Sequence, residues 1–152
     1  MVIEKTIAKT STKKRRVANT VASRKGKASR AQNKIAMDLQ NLYNVTYTDI
    51  RPVPLGTPGI DIWLSEAMRE KYPYAQEIKN REKLNIWDAL EQCEVNATKE
   101  NLIPLLIFKR NNTPYYITLR WEMWVKIQHE LLELLELKKI LQIGKREHEE
   151  VK

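Results

Sequence analysis

Gly59-Ile60-Asp61-Ile62-Trp63-Leu64-Ser65 and, after a short charged connection, Tyr74-Ala75-Gln76-Glu77-Ile78-Lys79 decide how this chain is read. In the first stretch Ile60, Ile62 and Leu64 alternate with Asp61 and Trp63; in the second Ala75, Gln76 and Ile78 lead into a charged end. Such short runs predict two β-strands. Side chains alternate along a strand, so Glu77 and Lys79 share one face and Ile78 points to the other. An acid and a base side by side near a core cost free energy unless something uses them. If the two strands pair as a hairpin, Asp61 comes beside Glu77. Two carboxylates with an adjacent backbone carbonyl make a hard oxygen site suited to Mg²⁺ or Mn²⁺. Lys79 would then stand where it can position an attacking water.

Glu-x-Lys alone says nothing, because Glu136-Leu137-Lys138 and Glu150-Val151-Lys152 repeat it in stretches that read as helix and tail. Only Glu77 ends an apolar strand, with a Gly-Ile-Asp strand before it and a Gln-bearing helix after it. The plain alternative is a surface Glu/Lys pair on an edge strand, worth little energetically. The layout Asp-x15-Glu-x-Lys, formed by Asp61, Glu77 and Lys79, resembles the catalytic core of the PD-(D/E)XK nuclease superfamily. Within it, the archaeal-type Holliday junction resolvases and similar phage-type endonucleases are most similar.

The resemblance spans roughly residues 29–125 and implies an α/β nuclease-like sandwich, a central mixed sheet flanked by helices. It implies that Asp61, Glu77 and the carbonyl of Ile78 hold Mg²⁺ or Mn²⁺, and that Lys79 orients the attacking water. Several members carry a Gln on the helix after Glu-x-Lys, where its amide holds the lysine or a phosphate. Gln92 matches that position, an exposed helical Gln being the alternative. One departure stands out: junction resolvases carry a glutamate on the first helix, and the matching place here holds Gln32.

Length and charge set the bounds. A chain of 152 residues suffices for one domain with one core. Eleven of the 27 Lys and Arg residues, but only one of the 19 acids, precede Met37, so the first 36 residues carry +10 and the remainder −2. The basic end attracts a polyanion, which points to a nucleic acid. Lys13, Lys14, Arg15, Arg16, Arg24, Lys25, Lys27 and Arg30 are the expected DNA contacts. Lys13 to Arg16 also imitates a nuclear localisation signal. The single cysteine, Cys93, excludes an internal disulfide and a zinc site and suits a reducing compartment. No apolar run spans a bilayer and no signal-peptide core is present. The expected location is the cytoplasm, that of the host cell if the source is viral.

Along the chain, residues 1–27 have few large apolar residues and no sustained periodicity and are expected to form a basic flexible arm, disordered or helical only on binding, a weak helix over Lys13 to Ser23 being the alternative. Residues 28–145 would form the nuclease-like domain, and 146–152 a charged tail. Ser29 can cap a helix to about Tyr43 with Ile35, Leu39 and Leu42 as its stripe and Met37 near the edge. Val45 to Arg51 alternates as a strand. Residues 66–71 read as a helical turn or an exposed loop. Asn85 can cap a helix from Ile86 to about Ala97, with Gln92 on the face shared with Asp88 and Asn96. Leu102 to Phe108 reads as a central buried strand, returning through a polar turn to Tyr115–Leu119. Trp121 to about Ile143 is one long helix whose apolar surface is wider than one seam needs, which predicts a second contact, most simply a homodimer, a wider buried stripe within the monomer being the alternative.

The function expected from the resemblance is metal-dependent DNA phosphodiester hydrolysis by an endonuclease selective for branched DNA, in recombination or repair. The alternatives are a sequence-specific restriction, homing or repair endonuclease of the same superfamily, and an inactive nucleic-acid-binding scaffold. No Ser/His/Asp or Cys/His constellation suggests covalent catalysis, and no Gly-rich loop cradles a nucleotide.

Overall fold

The computed structural model describes residues 20–150, with side chains as far as Gln142. The elements run α1 (Val21–Tyr43), β1 (Ile50–Pro52), β2 (Ile62–Leu64), α2 (Glu66–Lys71), β3 (Tyr74–Asn80), α3 (Ile86–Glu100), β4 (Ile103–Lys109), β5 (Tyr116–Thr118) and α4 (Trp121–Glu150). The class is α/β, with small sheets, flanking helices and a long C-terminal helix.

The apolar run 103–109 becomes the middle strand of a mixed three-stranded sheet, ordered β3-β4-β5. β3 and β4 are parallel, from Tyr74 opposite Ile103 to Asn80 opposite Lys109, with α3 as their crossover. β5 returns antiparallel after the polar turn, Phe108 opposite Tyr116. Leu105, Leu106 and Ile107 are buried, as a strand covered on both faces requires.

β1 and β2 form a separate antiparallel pair, Ile50 opposite Leu64. The expected hairpin of the Asp61 and Glu77 strands does not form: no ladder joins β2 to β3 among the described residues. β1 takes one edge of β2, and residues 65–73 fold into α2 and its caps instead of a tight turn. Buried Met68 makes α2 a packed element, not an exposed loop.

α1 and α3 cover opposite faces of the β3-β4 sheet. Ala31, Ala36 and Leu39 of α1 pack with Ile50, Ile62, Leu64, Met68, Ile78, Leu105 and Ile107 in one cluster that unites both sheets. Ala89 and Cys93 of α3 pack on Leu106, and Ala97 packs on Ile60 and Ala75. Asn85 caps α3 as expected, its side chain accepting from Trp87 N at 3.2 Å.

Several boundaries differ from expectation. α1 starts at Val21, capped by Thr20, whose Oγ1 accepts from Ser23 N at 3.2 Å. Residues 21–27 are therefore helical, not part of an arm, and Ser29 lies inside the helix. Those turns are exposed or half-exposed, so no apolar period marks them. Leu42 and Met37 are exposed, and the buried stripe runs through Ala31, Ala36 and Leu39. Val45 to Asp49 is not strand: Asn44 adopts the left-handed conformation (φ 52°) as the helix cap, and a turn at Thr46 follows before β1 begins. α4 continues through residues 146–150, where a separate tail was expected. Lys13, Lys14, Arg15 and Arg16 lie outside the described residues.

Candidate active site

The site is built where the loop after β1 meets the free edge of β3. Gly56 and Gly59 carry positive φ (91° and 114°), the conformations that turn this loop back towards the sheet. Asn96 Nδ2 of α3 donates to the carbonyl of Gly59 at 2.8 Å and fixes the turn. Asp61 N then donates to Gln76 O at 3.0 Å, a single ladder-like bond. Where the next bond of a ladder would fall, the side chain takes over: Ile78 N donates to Asp61 Oδ2 at 2.6 Å. Asp61 Oδ1 accepts from Gln32 Nε2 of α1 at 2.6 Å. Because Gln76 O and Ile78 N both face this edge, strand alternation aims the carbonyl of Ile78 to the same side.

Glu77, only 3% exposed, points to the other face of β3, towards α3. Its Oε2 accepts from Asn96 Nδ2 at 3.2 Å, and its Oε1 pairs with Lys79 Nζ. Lys79 Nζ also donates to Gln92 Oε1 at 2.9 Å. The helix can reach this far because its buried row, Ala89, Cys93 and Ala97, is small and lets α3 lie close to the sheet. Gln92 and Asn96, four residues apart on one face, then meet Lys79 and Glu77.

Burial is the largest influence on Asp61, and the neighbouring Glu77 carboxylate adds to it. Together they push its pKa up to about 6, against the lowering effect of the Ile78 amide, Gln32 and Lys79. The Cys93 thiol is pushed up to about 11, mainly by burial and secondarily by Glu77, so it stays an inert thiol.

Asp61, Glu77, Lys79, Ile78 and Gln92, predicted from the sequence, are thus brought together, and Gln32 of α1 joins them through Asp61. Asn96 is the site residue that sequence reasoning missed; its position one turn beyond Gln92 was the available signal. Two carboxylates that repel each other in a poorly solvated site, with a backbone carbonyl aimed alongside, are a hard oxygen donor set that suits a divalent cation. Among the described residues no three His, Cys, Asp or Glu side chains cluster, so the carboxylate share of that set is two. Turned about its last bond, the Gln32 amide presents its oxygen instead of its nitrogen to the same place.

The site opens into a cleft of about 990 Å³, rimmed by Arg24, Lys25 and Lys27 of α1 and by Arg81 and Lys83 after β3. Arg30 lies off this rim, with Lys27, Asn80 and Lys109 in an adjoining recess. No described helix is long and apolar enough to cross a membrane. Comparison of the chain with protein-family models, curated proteins and solved structures gave no match.

Proposed function

We propose that this chain is a divalent-metal-dependent endodeoxyribonuclease with a PD-(D/E)XK-type nuclease sandwich, selective for branched DNA as a Holliday junction resolvase is. The observation that carries the reading is that Asp61, at the free edge of β3, and Glu77, on the α3 face of that strand, feel each other's charge and line one cation-rimmed cleft, with Lys79 held between Glu77 and Gln92. Asp61, Glu77 and the carbonyl of Ile78 would hold Mg²⁺ or Mn²⁺. Such an ion, when bound, polarises the scissile phosphate and lowers the pKa of a water. Gln92 fixes the Lys79 ammonium so that it donates towards the attacking water and offsets charge that builds on the phosphate oxygens. The water oxygen would bond to phosphorus as the phosphorus–oxygen bond to one sugar breaks, the water losing a proton to bulk solvent and the departing sugar oxygen taking one from it. Arg24, Lys25, Lys27, Arg81 and Lys83 bind the flanking phosphates and so position the strand.

A second reading, a nucleic-acid-binding scaffold without activity, draws on Gln32. It puts a neutral amide on Asp61 where resolvases carry a third carboxylate.

One experiment separates the readings. A synthetic four-way junction and a linear duplex of the same sequence are incubated with Mg²⁺ or Mn²⁺ and either wild type or Glu77→Ala. The nuclease reading expects nicks on the junction that need metal and disappear in the variant, with DNA binding kept. Cutting of the linear duplex would shift the reading to a sequence-specific endonuclease. Binding with no cutting of either DNA under any metal would leave the inactive scaffold.

A further inference from the structure

The cleft does not end at Lys27 and Asn80. Both also line an adjoining recess of about 330 Å³, together with Arg30 of α1, Lys109 at the end of β4, and Asn111 and Asn112 of the turn that follows. Asn80 and Lys109 are register partners on adjacent parallel strands, about 5 Å apart. By alternation with Ile78 and Ile107, both point to the face that α1 covers. Lys27 and Arg30, three residues apart on the helix, face them from above. Gly26 leaves room for the Arg30 guanidinium, since a Cβ there would stand 3.3 Å from Arg30 Nη1. The charges of the recess are of one sign: three cations and three amides line it, and no carboxylate does. Lys27, Arg30 and Lys109 form no ion pair among the described residues, whereas Lys34, further along α1, pairs with Asp38. Glu82 of the loop after β3 is used in holding the turn, its Oε1 accepting from Asn111 N at 2.8 Å. Asn80 Oδ1 is buried without a hydrogen-bond partner; turned about its last bond, the amide puts a donor there instead. Like charges gathered in this way repel one another until an anion enters, and cations with amide donors are what binds a phosphate.

We propose that this recess is a second phosphate site, in which Arg30 and Lys109 together hold one phosphodiester group of the DNA strand that runs through the cleft. At about a third of the cleft's volume, it takes one phosphate with its sugar and not a run of nucleotides. The strand then crosses the C-terminal ends of β3 and β4 beneath the first turns of α1, from the free edge of β3 to the turn before β5. Lys27 and Asn80, shared by both spaces, stand at the step between them. The turn between β4 and β5 thereby becomes part of the DNA surface, and Arg30 acts there from outside the cleft. This site rests on the reading of the cleft as a DNA site and requires no cleavage, so it is tested on binding alone.

The test is binding of a fluorescein-labelled four-way junction to the full-length chain in EDTA over a range of salt concentrations, for wild type, Arg30→Gln, Lys109→Gln and the double variant. Arg30 is exposed and Lys109 belongs to none of the core clusters, so the variants keep their fold, checked by circular dichroism. Two cations on one phosphate leave a distinctive pattern. In either single variant the other cation still neutralises that phosphate, so the slope of log affinity against log salt should stay within about 0.3 of wild type. The double variant should lower the slope by about 0.9, once and not twice, and the affinity about eightfold at 0.1 M salt. A fall of about 0.9 in each single variant and about 1.8 in the double would mean separate phosphates and overturn the shared site. A double variant with the wild-type slope would overturn it too, and uptake of inorganic phosphate by wild type in calorimetry would then make the recess a site for a free anion. Wild type that binds no junction at all would overturn the DNA reading itself, and this site with it.

Discussion

Asp61 serves the fold and the site with the same two oxygens. Oδ2 stands in for a ladder acceptor to Ile78 N and Oδ1 accepts from Gln32, so the carboxylate is held rigidly but poorly solvated. Its pKa in the folded chain is about 6, above the ordinary 3.8. The sign follows from linkage: the folded state holds this proton longer than the unfolded one, so stability falls as pH rises from about 4 to 6 and stays lowered above. The cost at neutral pH is at most about 3 kcal/mol. Asp61→Asn removes the ionisation, and Gln32 can reverse its amide to accept from the new Nδ2. In EDTA, urea unfolding should therefore show the variant gaining more stability at pH 7.5 than at pH 4.5. Equal gains at both would refute the buried-charge account. Gln32→Glu makes the opposite change by adding a third carboxylate. Affinity for Mn²⁺ by calorimetry should rise about tenfold or more, while the metal-free protein should lose stability. Unchanged affinity would show that Gln32 faces Asp61 and not a cation.

Among the elements, those that bury a continuous face are legible in the sequence and those that do not are hidden. β4 is one apolar run, and α3 carries both a cap, Asn85, and a periodic small-residue row. The first turns of α1 have a cap, Thr20, but no such row, because Val21 to Lys27 pack on no core. β1 is shorter than its sequence suggests: Val45 to Asp49 alternates like a strand, while Asn44 in the left-handed conformation and the turn at Thr46 use those residues to turn the chain. The helical start bears on the proposed DNA contact: it places Arg24, Lys25 and Lys27 on the rim of the cleft instead of on a trailing arm. Replacing all three by Gln should weaken DNA binding and flatten its salt dependence. The slope of log affinity against log salt should fall by about 0.9 for each phosphate no longer neutralised. An unchanged slope would mean that these cations do not touch the DNA backbone.

At the scale of the whole molecule, the two sheets are joined less by hydrogen bonds than by packing. Which residues approach the site is legible from spacing, since Glu77 and Lys79 lie two apart on one face of β3 and Asp61 directly precedes β2. Which strands pair is not, because periodicity gives a strand's faces and leaves its neighbours open. Between β2 and β3 only Asp61 N–H and its carboxylate bridge the backbones, so the register of the site rests on what lies beneath them. That is the cluster in which Ile50 and Ile62 are fully buried against Leu39, Ile78 and Ile107, joining α1, the β1-β2 pair and the β3-β4 sheet. Ile62 is one residue from Asp61, and its side chain offers the cleft no polar group. Ile62→Ala leaves a cavity under the seam and should cost about 2–5 kcal/mol in urea unfolding. If both sheets share this one core, the loss appears as an earlier midpoint of a single transition with an unchanged slope. It should be accompanied by weaker Mn²⁺ binding, because Asp61 is then free to drift from Glu77. Two separate transitions, or a destabilised protein whose metal affinity is untouched, would show that the carboxylates are held by the loop and α3 alone.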